Sequence, residues 1–117
     1  MDMPEATRLL DAELERLAVT QARIEREGAS TMPSTEDGPD TADSARELVE
    51  REEHVSLLQP VLTEIADVRH AYERLLRGTY GECEACGDPI PDERLRALPA
   101  ARYCVFDEQR REGLAPA

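Results

Sequence analysis

Apolar residues recur with helical spacing along the first quarter of the chain. Between about Pro4 and Glu27 they follow at intervals of four, three, four and three positions, with one polar member: Leu10, Leu14, Leu17, Gln21 and Ile24. Intervals of three and four place side chains on one face of an α-helix, and Glu and Arg occupy many of the other positions. The pattern therefore predicts a first helix with a single apolar seam.

The residues after this helix are typical of a loop. Gly28 is expected to end the helix, because glycine readily adopts the left-handed conformation that follows a helix. Residues 28–40 contain two glycines, two prolines and several short polar side chains, which favour turns. A second helix is predicted to begin near Thr41 or Asp43, with Asp43 as a suitable N-cap. The connection, residues 28–43, would form the tip of a hairpin.

The second helix is predicted to extend to about Arg77. Its apolar positions again indicate one face of a helix: Leu48, Val55, Leu58, Leu62, Ile65, Val68, Tyr72 and Leu75. Pro60 lies inside this run. Because proline removes a backbone hydrogen bond and clashes with the preceding turn, we expect a kink there. The alternative is two helices that meet at Pro60.

These elements predict an all-α-dominated fold in two parts. Two seamed helices joined by one loop make an antiparallel coiled-coil hairpin, residues 1–78. The second helix is the longer one, so its C-terminal part is expected to pack against the segment that follows Gly78. Residues 79–117 would form that second part, a small head of the treble-clef or ribbon kind with a short C-terminal helix.

The head segment contains all three cysteines of the chain. Cys83 and Cys86 are separated by two residues and followed by Gly87, a spacing that lets both sulfurs reach one tetrahedral ion. Seventeen residues separate Cys86 from Cys104, as between the two halves of many zinc sites. A fourth cysteine would be expected at position 107, where this chain has Asp107.

Three interpretations of the fourth position stay open. Asp107 supplies a carboxylate oxygen, or water completes the site, or the head holds no metal and packs its cysteines as small apolar residues. His54 and His70 lie on the second helix, where they are poorly placed to replace a ligand. We expect a zinc site whose ligands are Cys83, Cys86, Cys104 and Asp107.

Charge and composition restrict the function. The net charge is −12, and the chain has one Phe, three Tyr and no Trp, which favours long solvated helices over a large core. Proteins that bind phosphate backbones usually present a basic face, so a basic protein surface is the expected partner and nucleic acid is not. No catalytic motif surrounds either histidine, so we expect no enzymatic activity.

The sequence also predicts the compartment. No apolar run approaches the ~18–20 residues that span a membrane, and the N-terminus is acidic, unlike a signal peptide. We therefore expect a cytoplasmic monomer. Thiols stay reduced in that compartment, so closely spaced cysteines indicate metal binding rather than a disulfide.

The head resembles the DksA/TraR zinc-finger family. The matching residues span about 25 positions after a long helix: Tyr80, Gly81, Cys83, Cys86, Gly87, Ile90, Arg94, Leu95, Ala97, Pro99, Ala101 and Cys104. A D-x-x-D-x-A motif typical of the DksA branch is present as Asp40, Asp43 and Ala45, where the loop enters the second helix. The resemblance covers roughly residues 5–112.

This resemblance implies a bacterial transcription regulator that binds RNA polymerase. In that family the hairpin arm enters the secondary channel of polymerase, and the tip, here Asp40, Asp43 and Ala45, alters promoter complexes. DksA also acts with the alarmone ppGpp in the stringent response through basic residues. The corresponding positions here are Asp67 and Glu108, so ppGpp synergy is not expected.

Two other functions compete with a polymerase regulator. An acidic coiled-coil adaptor would bind a different basic protein, but it would have no need of the acidic tip motif. A zinc-ribbon nucleic-acid binder would have a basic finger, whereas residues 79–117 contain five Arg against eight Asp and Glu.

Overall fold

The computed structural model describes residues 1–30 and 41–113. Four helices occupy these ranges: α1 Met3–Ser30, α2 Thr41–Arg77, α3 Asp92–Ala97 and α4 Val105–Arg111. Within the same ranges the β-structure is limited to an isolated antiparallel bridge between Glu82 and Pro89. The predicted mostly helical fold with a small cysteine-containing head is confirmed.

The two long helices run antiparallel. Arg16 on α1 forms an ion pair with Glu64 on α2, with 3.5 Å between Nη2 and Oε2. Nearer the start of α1, the hydroxyl of Tyr72 donates a hydrogen bond to the carboxylate of Asp11. Burial, followed by this interaction with Asp11, raises the pKa of Tyr72 to about 12. Residue numbers therefore rise on α1 as they fall on α2, as in the predicted hairpin.

The chain divides into two compact units. One contains Met1–Leu14 and Ile65–Ala117, and the other contains Glu15–Glu64. In the first unit the beginning of α1 packs with the end of α2, and their buried residues are Ala6, Leu10, Ile65, Val68, Ala71 and Leu75. The predicted boundary between a hairpin and a head near residue 78 stays a prediction.

The start of α1 also contacts the short helix α3 within the first unit. The Met1 ammonium group is 3.2 Å from Oδ1 of Asp92. Glu5 accepts a hydrogen bond of 2.8 Å from Nε of Arg96. The first turns of α1 are thus part of the head and not only of the hairpin.

The seam predicted for α1 is present. Leu10 and Leu17 are fully buried, and Leu14, Gln21 and Ile24 are partly buried. Hydrophobic periodicity was sufficient here because the inward positions of α1 are nearly all apolar.

The seam predicted for α2 is partly wrong. Leu48, Val55 and Leu62 were assigned to it, yet they are 55%, 51% and 42% exposed. Ile65 is buried against α1. On the N-terminal side of Ile65, the positions of α2 on the same face are Val61, which is buried, and Leu58 and His54, which are partly buried. The inward positions keep their spacing of three and four residues, but towards the start of α2 they include the polar residue His54. The apolar residues there lie on a neighbouring face of the helix, which is why the apolar pattern predicted the wrong face.

Gly28 does not end α1, contrary to the prediction. The helix continues to Ser30, and Gly28 is not among the glycines with positive φ. A Cβ atom at this position would lie 2.0 Å from Cε1 of His54. At this position glycine leaves room for the imidazole ring of His54 on α2 and does not serve a turn.

The start of α2 agrees with the prediction, since the helix begins at Thr41, but the N-cap assignment does not. Because α2 includes Thr41, Asp43 lies in its first turn and is not the N-cap. The helix is continuous through Pro60, so the alternative of two separate helices is wrong, and the kink stays a prediction.

Gly78 ends α2 and begins the head. Its φ is 78°, a left-handed conformation that suits glycine. The amide of Gly78 donates to the carbonyl of Leu75 at 3.2 Å, and the amide of Thr79 donates to that of Arg74 at 2.9 Å. These two bonds make a Schellman motif, which satisfies the last carbonyls of the helix and turns the chain towards the cysteines.

We predict that Gly28→Ala destabilises the protein, although alanine favours helix by about 1 kcal/mol over glycine. The added methyl group would overlap the His54 ring. In a His54→Ala background the same change should be stabilising, because the ring is absent. Chemical denaturation of the four proteins of this double-mutant cycle measures the difference. Equal stabilisation in both backgrounds would contradict the close contact.

Candidate metal centre

Three cysteines and one aspartate meet in the head. The sulfurs of Cys83, Cys86 and Cys104 and a carboxylate oxygen of Asp107 all lie within 4.8 Å of one another. Among the residues that the structure describes, no other group of three or more potential ligands comes together in this way. The structure thus brings together all four residues proposed as ligands, and their binding of a metal stays a prediction.

Backbone hydrogen bonds shape the turn that holds the first two cysteines. The amide of Cys83 donates to the carbonyl of Asp88 at 2.8 Å, and the amide of Gly87 donates to that of Cys83 at 2.9 Å. Gly87 has φ of 79°, which a side chain would disfavour. The C-x-x-C-G sequence is therefore a tight turn that presents both sulfurs to one point.

The other two members lie at the start of α4. Cys104 is the N-cap residue of this helix and Asp107 is in its first turn. Positions three apart lie on the same helix face, so both side chains reach the cysteine turn. The amide of Glu108 donates to the carbonyl of Cys104 at 2.9 Å and fixes the first turn.

Asp107 is the buried charged residue of the described chain, with 7% of its surface exposed. Its Oδ2 atom accepts hydrogen bonds from the thiols of Cys83 at 3.0 Å and Cys104 at 3.1 Å. These bonds hold the pKa of Asp107 below its ordinary value. The cluster therefore contains a carboxylate that is ionised although it is shielded from water.

The donor set fits a zinc ion. Zinc binds thiolate at about 2.3 Å and carboxylate at about 2.0–2.2 Å in tetrahedral geometry, so its ligand atoms are roughly 3.6–3.8 Å apart. Ligand atoms already within 4.8 Å of one another need only small side-chain movements to reach these distances. Neither histidine belongs to the cluster, as expected from the sequence.

Glu84, inside the cysteine turn, connects the turn to α2. Its carboxylate hydrogen-bonds the His70 ring and lies 3.1 Å from Nη1 of Arg74. It also accepts a 2.7 Å bond from Nε of Arg102. Partial burial by itself raises the pKa of Glu84, but the bonds from His70 and Arg102 outweigh it and bring the pKa below its ordinary value.

Sequence reasoning missed this network. Its signal was present, because His70 and Arg74 are one helical turn apart and Arg102 lies two residues before Cys104. Only the fold shows that these three side chains converge on one carboxylate. The backbone supports the same junction, since the amide of Glu84 donates to the carbonyl of Arg102 at 2.8 Å.

A small apolar core supports the cluster from within the head. Cys83, Ile90 and Leu95 are buried together, and Tyr80 and Tyr103 pack against them. The Tyr80 hydroxyl donates to the carbonyl of Pro99 at 2.8 Å, and Nε of Arg94 donates to that of Tyr103 at 3.2 Å. Several residues of the family pattern thus have a direct role in packing this head.

Of the three residues proposed for the hairpin tip, two lie on α2 and one lies outside the described residues. Ala45 is exposed on α2, and Asp43 lies in the first turn of the same helix. Asp40 lies outside the described residues.

None of the described helices is long and apolar enough to cross a membrane.

Comparison with known proteins agrees with these features. The profile of the prokaryotic dksA/traR C4-type zinc finger matches residues 78–112, the whole head from Gly78 to the end of α4. The RNA polymerase-binding transcription factor DksA of Caulobacter vibrioides is 30% identical over 102 residues, which cover 84% of this chain and 72% of that protein. The match therefore includes the long helices as well as the head.

Solved and uncharacterised relatives extend the comparison. The structure of transcription factor DksA2 from Pseudomonas aeruginosa superposes with a TM-score of 0.71 and 31% identity, covering 96% of this chain and 86% of that one. Uncharacterised YteA of Bacillus subtilis is 44% identical over 59 residues, half of this chain. The match covers only 25% of YteA, as it does of general stress protein 16O from the same organism.

We predict that Glu84→Gln destabilises the head by about 1.5–3 kcal/mol, the range for a hydrogen-bonded charge that loses its partners. His70, Arg74 and Arg102 would then share no carboxylate. Thermal unfolding followed by circular dichroism measures the loss. Glu82→Gln is the matched control, because Glu82 is exposed and two positions away. Equal effects of the two changes would show that the network contributes little.

Proposed function

Since the chain belongs to the DksA/TraR zinc-finger family, we propose that it regulates transcription by binding RNA polymerase through the secondary channel. Members of this family are regulatory factors and not enzymes. The observation that carries the proposal is the match to the DksA of Caulobacter vibrioides, a protein named as RNA polymerase-binding, along both long helices and the head.

The helical hairpin is suited to a narrow passage. It consists of two antiparallel helices, α1 ending at Ser30 and α2 beginning at Thr41, and the acidic motif with Asp40, Asp43 and Ala45 lies where their connection enters α2. We infer that this connection approaches the active centre of polymerase, which is rich in basic groups and metal ions. A carboxylate on a slender support reaches such a centre, whereas a bulky domain would not.

Electrostatics favours the same kind of partner. The net charge of −12 repels the phosphates of naked DNA and attracts a basic protein surface. Binding to polymerase without direct contact to a promoter sequence is consistent with this charge. Polymerase acts in the cytoplasm, and a cytoplasmic, monomeric regulator remains our prediction.

Regulation by ppGpp in the manner of DksA is not part of the proposal. The family resemblance implies that Asp67 and Glu108 stand where DksA has basic residues. Asp67 on α2 lies 3.8 Å from Arg102 of the head, and Glu108 lies 3.7 Å from Arg111. These arginines are thus engaged by carboxylates, and a polyphosphate would have to displace them.

We propose that Cys83, Cys86, Cys104 and Asp107 hold a structural zinc ion. When bound, zinc would supply a cross-link between the cysteine turn and α4. The residues themselves do the positioning: the turn aligns two sulfurs, α4 aligns Cys104 with Asp107, and Glu84 anchors the turn to α2. The family profile has four cysteines, so this chain would have a variant site with one oxygen ligand.

The zinc proposal predicts about one zinc ion per chain, since four ligands make a closed mononuclear site. Native mass spectrometry after purification without chelator measures the stoichiometry. Asp107→Cys should bind zinc more tightly, because thiolate is the softer ligand. A metal-free mass together with a melting temperature unchanged by added zinc would contradict the proposal.

The tip proposal predicts that Asp43→Asn abolishes the effect on transcription while weakening polymerase binding much less. Asparagine keeps the size of the side chain and removes its charge. Asp43 is in the first turn of α2, so loss of a favourable dipole interaction should cost only about 0.3–1 kcal/mol of stability. Ala45→Thr should also impair regulation, by adding bulk where the arm must fit closely.

A multi-round transcription assay beside a polymerase-binding assay tests both variants. Glu52→Gln is a suitable control, because it removes one exposed carboxylate of α2 that is not in the motif. Wild-type protein should compete with another secondary-channel factor for polymerase. If Asp43→Asn regulates as well as wild type, the carboxylate of Asp43 has no role in regulation beyond its place in the first turn of α2. An adaptor for another basic protein then becomes the better hypothesis.

A further inference from the structure

We propose that three exposed apolar side chains of α2, those of Leu48, Val55 and Leu62, form a docking stripe for an α-helix of RNA polymerase. The stripe lies on the side of the hairpin arm. It would supply binding energy, whereas the acidic tip would act on the promoter complex. This inference rests on the proposed function and names a contact surface outside both the tip motif and the head.

The spacing of the three residues keeps them on one side of α2. They are seven positions apart, which is nearly two helical turns, so each lies only about 20° around the helix from the one before. Leu48 is 55% exposed, Val55 is 51% exposed and Leu62 is 42% exposed. All three belong to the compact unit Glu15–Glu64. An apolar repeat of seven residues is the pattern along which a second helix packs.

The stripe is distinct from the seam between α1 and α2. On the seam Val61 is buried and Leu58 is partly buried. Leu62 directly follows Val61, so it lies about 100° further around the helix. Helix α1 therefore covers one face of α2, and the stripe runs beside that face on the exposed surface.

The surface around the stripe has little charge on a helix that is otherwise rich in it. Residues 44–64 include five Glu and two Arg. By helical spacing, Ser44 and Gln59 share the face of the stripe, whereas Arg51 and Glu52 are exposed at its opposite edges, outside the apolar contact. Single exposed apolar residues are ordinary on a protein surface, but an aligned set on a face of low charge indicates a contact surface.

A second copy of this chain does not suit the stripe. Each copy has a net charge of −12, so two copies repel each other. A stable protein–protein interface buries about 1,200 Å² or more, and three partly exposed side chains from each copy supply much less. As one part of a larger contact the stripe is sufficient. The excess of Glu over Arg in residues 44–64 suits a partner helix with basic residues beside its apolar face.

The position of the stripe along the arm agrees with polymerase as the partner. Leu48 lies three residues after Ala45 of the tip motif, which is about one helical turn further along α2. From Leu48 to Leu62 the stripe extends for about 21 Å along the helix axis, away from the tip. A polymerase helix that runs along the inserted arm would therefore contact the stripe while the tip approaches the active centre.

The test compares Leu48→Gln with a matched leucine of the same helix. Leu57→Gln is the control, because Leu57 is 58% exposed but lies two residues after Val55, on the opposite side of α2. Leu and Gln have similar helix propensities, so the two variants should have similar melting temperatures. Polymerase binding is measured by equilibrium titration, and regulation is measured by transcription at saturating protein.

We expect Leu48→Gln to weaken polymerase binding by about five- to tenfold, and a Leu48→Gln/Leu62→Gln double variant by about thirtyfold or more. Leu57→Gln should change binding by less than about twofold. At saturating concentration Leu48→Gln should regulate as fully as wild type, because its tip is intact. Asp43→Asn should show the reverse, with binding largely kept and regulation lost.

Site-specific photo-cross-linking tests whether the partner is a helix. A photoreactive amino acid introduced in place of Val55 should cross-link to a helical segment of polymerase. The same probe in place of Leu48 or Leu62 should mark residues about one heptad away along that segment. In place of Leu57 it should give little cross-linking to polymerase.

The proposal fails if Leu48→Gln binds polymerase as tightly as Leu57→Gln, or if the three stripe positions cross-link to unrelated segments. A concentration-dependent dimer in analytical ultracentrifugation that Leu48→Gln abolishes would overturn it in favour of a second copy. Wild type that does not bind polymerase would overturn the proposed function and this partner together. Wild type that binds, with stripe variants that bind equally well, would overturn the stripe alone.

Discussion

The carboxylate of Glu84 pairs with cations from two other segments, and the arrangement of the head depends on that convergence. Among the described residues of the head, the buried apolar cluster has three members, Cys83, Ile90 and Leu95. A core of that size fixes the position of a helix weakly. The ion pairs of Glu84 with Arg74 and Arg102 add direction, because charged hydrogen bonds hold their partners in defined geometry. The cysteine turn is consequently aligned on α2 before any metal is considered.

Much of the fold and the position of the site followed from the sequence. The seam of α1 and the C-x-x-C-G turn rest on local spacing, and both are present. Local spacing failed where a polar residue takes an inward position, as His54 does on α2. It failed again at Gly28, where the need for glycine comes from a side chain of the other helix. The Glu84 network was not predicted from the sequence for the same reason, since its members are distant in the chain and meet only in the folded structure.

The oxygen ligand proposed at position 107 changes the character of the head. In a site of four sulfurs, the metal and the fold depend on each other. Here the carboxylate lies within hydrogen-bond distance of two thiols, those of Cys83 and Cys104. The same residue that departs from the family pattern is therefore the one that joins the cysteine turn to α4.

The pairing of Glu5 with Arg96 joins residues that are 91 positions apart in the chain. Closing so large a loop has a high entropic cost, and contacts of high sequence separation form slowly. The facing segments of α1 and α2 in the unit Glu15–Glu64 are much closer along the chain. During synthesis, those segments emerge and meet first, whereas the head waits for α3. Its completion is therefore a late step, and the first turns of α1 find their final partners only after α3 has been synthesised.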